Sequence, residues 1–303
     1  MQRGLAGLND ASAAWLWLAA SGFVGSLVCS GAAWRSALLA CGGSLGQTDA
    51  SARYGAGCLV NSLLPAKLGT ALRVGLYSRS LQGEGRLWTA GGIGTAIGAG
   101  QTFWLAILVA IAAAAGVVPA WPLAVLGLVL SAAVGAIWLA RHTKTCRHFA
   151  HVLDAFRELG SSPRAAGSLL GWTGLAMVSR VGAGAALAAA FGLPRPVLVA
   201  FLIVPAVELA AFLPLTPGNI GVAGAAVAFA LKSQGVDGDL AVAAGIGFNA
   251  VETLASLAFG AFGSLYLATG SSLVRPRLAA VAAATACAGL FGAFGWTVIL
   301  PLS

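Results

Sequence analysis

Apolar stretches of about 20 residues or more, the length a helix needs to cross the hydrocarbon core of a bilayer, recur between residues 12 and 300 of this chain. A soluble fold would have to bury every one of them and still present a charged surface. Charged residues are only 9% of the total and hydrophobic ones 59%, against roughly 25% charged in a soluble domain. The expected fold is therefore all-α: a polytopic transmembrane helix bundle, forming a single membrane domain over residues 1–303.

Spans are expected at residues 12–33, 88–118, 120–140, 165–191, 240–269 and 278–300. Two further apolar blocks are interrupted. Residues 56–64 stop at Pro65 and lead into an amphipathic piece at 66–80. Residues 197–213 break at Pro214-Leu215-Thr216-Pro217-Gly218. The loop at 141–164 is the only strongly polar segment, and its Arg141, Lys144, Arg147, Arg157 and Arg164 place it on the cytoplasmic side by the positive-inside rule. Arg275 and Arg277 then mark a second cytoplasmic loop. An even number of crossings must separate the two, so the segment broken at Pro214 enters and leaves from the outer face. Arg35 and Arg53, with Arg79 and Arg86, fit a hairpin entering from the cytoplasm, which leaves the N-terminus outside.

Each half then reads as span, broken re-entrant hairpin, span, span: a first half-repeat at 1–140, the cytoplasmic loop, and an inverted second half-repeat at 165–303. Interrupted helices at matching positions of an inverted repeat are a transporter signature. Irregular backbone at that depth is tolerated only when buried in protein or lining a wet cavity. Trp34, Trp88, Trp121, Trp138 and Trp172 fall near expected span ends, where the ring suits the interface, while Trp104 suits a core position.

Other function classes fare poorly. The formal charge of +8 is spread between and within apolar blocks rather than along a basic stripe, so no nucleic-acid partner is expected. Cys29, Cys41, Cys58, Cys146 and Cys287 lack metal or disulfide spacing and suit apolar packing. His142, His148 and His151 beside Cys146 do not complete a ligand set, so neither metal nor cofactor is expected. The apolar run at 11–34 is too long for a signal-peptide core of about 7–15 residues and reads as a retained span. Gly91, Gly92 and Gly94, with Gly98 and Gly100, form small-x-x-x-small faces for close helix packing, and no strand precedes them to make a dinucleotide loop.

The first break is Asn61-Ser62-Leu63-Leu64-Pro65-Ala66-Lys67-Leu68-Gly69, followed by Arg73. Pro65 removes a donor and Gly69 eases a turn. Lys67 and Arg73 would flank a helix N-terminus that attracts anions, making a phosphate site within the membrane. The same two cations would equally snorkel from an interfacial helix. The second break packs Pro214, Pro217, Gly218 and Gly221 into eight residues, too many breakers for a continuous helix. Thr216 and Asn219 offer a hydroxyl and an amide to a ligand, or cap the following half-helix. A surface loop is the alternative.

Arg180, Glu208 and Glu252 lie deep in apolar segments, each roughly 15–23 Å from the nearer face at 1.5 Å per residue. A charge there costs on the order of 2.5–3.5 kcal/mol, so it pairs or faces a cavity. Either a carboxylate carries a coupling proton while Arg180 meets an anionic headgroup, or a salt bridge merely holds helices together. Asn249, one turn before Glu252, shares its face.

At both breaks the sequence resembles the lysylphosphatidylglycerol synthase transmembrane-region family of flippase-like membrane proteins. The stretches that carry the likeness are Asn61 through Gly69 with Arg73, and Leu213-Pro214-Leu215-Thr216-Pro217-Gly218-Asn219-Ile220-Gly221-Val222. The resemblance implies a multi-pass protein of the cytoplasmic membrane handling lipids. Family members often carry Glu where this chain has Ala223-Gly224, and Arg near Asn249. No soluble aminoacyl-transferase domain accompanies the membrane part, so lipid synthesis is not implied. The expected function is movement of an anionic or polyprenyl-type lipid between leaflets. The partner is then that lipid's phosphate headgroup, met by Lys67 and Arg73 from inside and gated outside by the turn from Pro214 to Gly221. Alternatives are a membrane-embedded enzyme using Glu208 and Glu252 as acid and base, or an accessory to a separate lipid synthase.

Overall fold

A computed structural model describes residues 13–64, 68–116, 147–211 and 221–269, with Gly127, Ser131 and Gly135. The described chain is all-α. Its helices are α1 (Ala13–Ala40), α2 (Gln47–Leu63), α3 (Leu68–Ser78), α4 (Arg86–Ala114), α5 (Arg147–Ser161), α6 (Pro163–Ala190), α7 (Pro196–Ala210), α8 (Val222–Ser233) and α9 (Gly238–Ala268). Four of them, α1, α4, α6 and α9, are long and apolar enough to cross a membrane. The expected span at 278–300 and nearly all of that at 120–140 lie outside the described residues.

Helix ends follow local chemistry. Leu64 is extended, with φ −115° and ψ 145°, as the residue before a proline must be, and it stops α2. Ser162 caps α6 by accepting from the Ala165 N–H at 3.4 Å, with Pro163 in the first turn. The Asp237 carboxylate accepts from the Asp239 and Leu240 N–H groups at the start of α9. Arg195, at φ 52° and ψ 59°, occupies a left-handed conformation costly for a side chain, and turns the chain between α6 and α7.

Three details differ from expectation. Helix α2 begins at Gln47, well before the apolar block at 56–64. Its polar first half is held by contacts within the protein: Arg53 donates to the Leu76 carbonyl at 2.7 Å and to Ser80 Oγ. The Tyr77 hydroxyl donates to the Ala50 carbonyl at 2.7 Å. Arg53 is thus a structural donor inside α2 rather than a loop charge. Trp34 is buried and stacked on Tyr77, with ring centroids 4.5 Å apart, so it does not mark an interface. The polar loop contains α5, whose Leu153, Ala155 and Leu159 are buried. Trp104 fits its core assignment, donating from Nε1 to the Leu170 carbonyl at 2.9 Å.

Lipid tails are as apolar as Leu, so helices in a bilayer associate through close packing of small residues. That chemistry sets the crossings here. A Cβ at Gly22 of α1 would sit 2.9 Å from the Ala183 Cβ of α6. One turn earlier on α6 the Ser179 hydroxyl donates to the Gly22 carbonyl at 2.8 Å. On α9, a Cβ at Gly260 would lie 2.7 Å from the Leu59 Cβ, and one at Gly263 would strike the Ala52 carbonyl. Gly92 of α4 meets α5, where a Cβ would be 2.9 Å from that of Ala155. Cys29 and Cys58 are buried among these helices. Just past α1, burial first and the Glu158 carboxylate second push the Cys41 thiol up to about 11.

The packing partners form a pattern. α1 packs on α6. α2 packs on α1, α3 and α9, and α7 packs on α6, α8 and α4. α3 adjoins α4 as α8 adjoins α9, and α9 touches α1 as α4 touches α6. Exchanging α1–α4 for α6–α9 in order converts this set of neighbours into itself.

Gly263→Leu should destabilise the detergent-solubilised protein by about 1–3 kcal/mol, the usual cost of overpacking. Gly167→Ala, where an added Cβ meets nothing within 4 Å, should change stability by less than about 1 kcal/mol. Thermal unfolding of the two variants side by side measures the difference.

Candidate functional site

Arg180 projects from the middle of α6 and meets carboxylates from two other helices. Its Nη1 lies 3.1 Å from Glu208 Oε1 of α7. Its Nη2 pairs with Glu252 Oε1 of α9. Roughly a quarter of each side chain stays accessible, 25% for Arg180, 27% for Glu208 and 21% for Glu252, so the cluster borders open space. Arg180 Nε is buried without a partner. One cation between two anions leaves a net negative charge when both carboxylates are ionised.

Glu208 follows Pro205, which sits inside α7 and removes a helix hydrogen bond there. Asn249 is half-buried one turn before Glu252, at the α8–α9 crossing. That crossing is made by Gly224 and Gly245: a Cβ on Gly224 would lie 3.1 Å from the Gly245 carbonyl and 3.8 Å from the Asn249 Cβ. Gly224 and Asn249 are thus spatial neighbours.

A second cationic group comes from the packed pair α2 and α3. Arg73 of α3 lays its guanidinium over the Tyr54 ring at 4.1 Å from the centroid, and its Nη2 is 4.0 Å from Cys58 Sγ. Its Nε is buried without a partner, as is Asn61 Oδ1. Among the described residues Arg73 has no carboxylate partner; the described ion pairs are those of Arg157 with Asp154 and of Arg180 with its two glutamates. Gly69 makes this geometry possible. A Cβ there would strike the Gly57 carbonyl and lie 2.6 Å from Asn61 Oδ1, so only glycine lets α3 fold this closely against α2.

The two cationic centres are linked through α2. Tyr54 and Cys58 of that helix lie near both Arg73 and Arg180. Of the residues singled out in the sequence, the structure brings Asn61, Gly69 and Arg73 together, and brings Arg180, Glu208 and Glu252 together, with Asn249 close by. Gly221 stands exposed at the start of α8 with φ 87°, a backbone angle that favours glycine. Pro65, Lys67, Pro214, Thr216, Pro217, Gly218 and Asn219 lie outside the described residues.

Sequence reasoning missed Tyr54, Cys58 and Gln101. The signal for the first two was their spacing, with Asn61, at i, i+4 and i+7 on one helix face. For Gln101 it was a lone amide in an apolar span, which rarely faces lipid.

Long apolar helices, two pairs of short helices and an ion cluster shared by three helices define a polytopic membrane protein with a polar centre. The chain matches the family model described as lysylphosphatidylglycerol synthase TM region over residues 5–260, a stretch that includes every described site residue, and it belongs to that family. Comparison with curated proteins and with solved structures finds no match.

Charge balance orders the expected stabilities. Arg180→Gln leaves two carboxylates facing each other and should cost about 3–5 kcal/mol, as when one partner of a buried pair is removed. Glu252→Gln leaves the balanced Arg180–Glu208 pair and should cost clearly less. Thermal unfolding of both variants at one pH tests the order; equal losses would mean that Glu208 and Glu252 do not share the guanidinium.

Proposed function

We propose that this protein translocates an anionic or polyprenyl-type lipid between the leaflets of the cytoplasmic membrane, its headgroup passing between two opposed hairpins. The observation that carries this reading is the Arg180–Glu208–Glu252 cluster. Ionisable groups inside a membrane bundle mark substrate or ion pathways. This cluster joins the two long helices α6 and α9, both from the second half of the chain, to α7, a helix too short to span.

Helix lengths support the hairpins. The short helices α2, α3, α7 and α8 hold 17, 11, 15 and 12 residues, about 17–26 Å at 1.5 Å per residue, short of the ~30 Å core. Helices that cannot cross and that pack against their own sequence neighbours fit segments that dip in and return. The exchange relation among packing partners fits two structural repeats, which the loop charges would orient oppositely. On this reading Lys67, Arg73, Asn61, Pro65 and Gly69 form the inner hairpin that meets the phosphate. The segment holding Pro214, Thr216, Pro217, Gly218, Asn219 and Gly221 gates the outer side. Glu208 and Glu252, with Asn249 beside them, are the groups that would carry a coupling proton.

The enzyme reading requires Glu208 and Glu252 to act as separate acid and base. Both contact one guanidinium, an arrangement suited to matched rather than divided roles, and this weighs against it. An accessory role beside a separate lipid synthase would show as co-purification and as no transport by the protein alone.

Vesicles containing the purified protein should equilibrate headgroup-labelled anionic lipid between leaflets faster than protein-free vesicles. Glu252→Gln removes a group that would exchange the coupling proton and should slow that rate by about tenfold or more, a barrier increase of about 1.4 kcal/mol. Lipid mass spectra before and after should be identical. No acceleration for any anionic or polyprenyl lipid, or a chemically altered lipid, would overturn the proposal.

A further inference from the structure

Between α3 and α4, closed off by Trp34 of α1 and Tyr54 of α2, lies a cavity of about 470 Å³. Arg73 is the cation in its wall, and Thr70, Thr95 and Gln101 supply neutral hydrogen-bonding groups. The opening is written into α4. Gly91, Gly94, Thr95, Gly98 and Gln101 recur at helical spacing along one face, and a Cβ built at Gly91 or Gly98 meets nothing within 4 Å. Small residues there hold space open rather than bring helices together, unlike Gly92 and Gly100 on the same helix, whose added Cβ atoms would meet α5 and α6.

The charge in this wall is unbalanced. A half-buried guanidinium ordinarily finds a carboxylate, because an uncompensated charge away from water is costly. Arg73 instead rests on the Tyr54 ring face, and its Nε donor is unused. Stacking on an aromatic ring fixes the guanidinium plane, Nη2 rests beside Cys58 Sγ and Nε is buried against α2, and a guanidinium held in this way suits oxyanions that approach its remaining donors in the plane. Arg180 does not duplicate this role, because two carboxylates already occupy its Nη1 and Nη2 groups.

We propose that the Arg73 cavity is a binding site for a singly charged phosphodiester, with the guanidinium on the phosphate oxygens and Thr70, Thr95 and Gln101 on the neutral part of the headgroup. Among the described residues of the wall one cation stands without a carboxylate partner, which suits a single negative charge. The volume falls within the range of about 300–1,000 Å³ typical of small-ligand pockets, enough for a headgroup while acyl chains stay outside. The site deepens the translocation reading and rests on it only for the source of the anion, since a free phosphodiester would satisfy the same chemistry.

The test uses the full-length protein at equilibrium, with no transport step. Dimethyl phosphate titrated into detergent-solubilised protein and followed by calorimetry probes the free anion. Nanodiscs of zwitterionic lipid, with or without an anionic phosphodiester lipid, probe the headgroup source through native mass spectrometry of retained lipid. Binding in either arm should weaken by about tenfold or more, at least 1.4 kcal/mol, in Arg73→Gln and be partly kept in Arg73→Lys. Gly98→Leu, which fills the cavity and leaves Arg73 in place, should weaken it similarly and covers the case in which Arg73→Gln fails to fold. Binding of dimethyl phosphate identifies a site open to free anions, and retention of anionic lipid alone identifies the headgroup as the source. No binding in either arm, or binding indifferent to both Arg73→Gln and Gly98→Leu, overturns the site. That result would leave the translocation reading standing on the Arg180 cluster, whereas failure of transport with binding intact would remove that reading and spare the site.

Discussion

The Arg180 guanidinium between Glu208 and Glu252 is the constraint around which the second half of the bundle is arranged. Three ionisable groups in an apolar bundle each carry an insertion cost of order 2.5–3.5 kcal/mol, and they offset it only by meeting one another. They come from α6, α7 and α9, so the need to meet draws the short helix α7 against two long ones. A lost hydrogen bond at Pro205, one turn before Glu208, is tolerable because the apolar face of α7 is buried through Ile203, Val204 and Val207. The cluster is nevertheless left with surplus negative charge, an unused Arg180 Nε and accessible surface. A device serving stability alone would be better made from apolar residues of the same volume.

Glycines set the distance at which the rest of the bundle meets this cluster. In a bilayer nothing pushes apolar helices together as water does, and backbone proximity must supply the attraction. Gly55, Gly260 and Gly263 let α2 settle on α9 until backbone atoms of the two helices nearly touch. That docking delivers Tyr54 and Cys58 to the neighbourhood of Arg180, although α2 belongs to the other half of the chain. Gly57 and Gly69 then bring α3 down onto α2 and place Arg73 over the Tyr54 ring. The spacing between the two arginines follows from glycine positions that, in a list of 42 such residues, look like background.

Much of this was legible in the sequence, for identifiable reasons. Long helices betray themselves by length and hydropathy, so α1, α4, α6 and α9 fall close to where the apolar runs place them. The break at Pro65 was legible because proline constrains its predecessor, and Leu64 is extended as expected. Arg180, Glu208 and Glu252 stood out because a charge in an apolar run is conspicuous. What stayed hidden depends on partners distant in sequence. The polar start of α2 reads as a loop until Arg53 is seen bonded to Leu76 and Ser80. Trp34 reads as an interfacial ring until Tyr77 is seen stacked on it. α8 was implied only as the far arm of a break, since 12 residues that are mostly Ala, Val and Gly carry no capping signal beyond Gly221. Gly91 and Gly98 matched a packing motif, yet only the fold reveals that nothing packs against them.

The two arginines also differ in a way that bears on direction. Arg73 has no described counter-ion, whereas Arg180 is doubly occupied, and Tyr54 and Cys58 lie near both. An anion resting at Arg73 therefore faces a neighbouring cluster that is negative while both carboxylates are ionised. Like charges at such range in a medium of low dielectric repel strongly. Moving that anion onward requires Arg180 to release a carboxylate, and a released, ionised carboxylate has no second described cation to turn to. Neutralising Glu208 or Glu252 with a proton removes both obstacles together, because it frees part of the guanidinium and discharges the cluster. On the translocation reading, proton arrival at the carboxylate pair and headgroup departure from Arg73 thus belong to one step, and the asymmetry between the two arginines makes the protonation state of the cluster the natural control on passage.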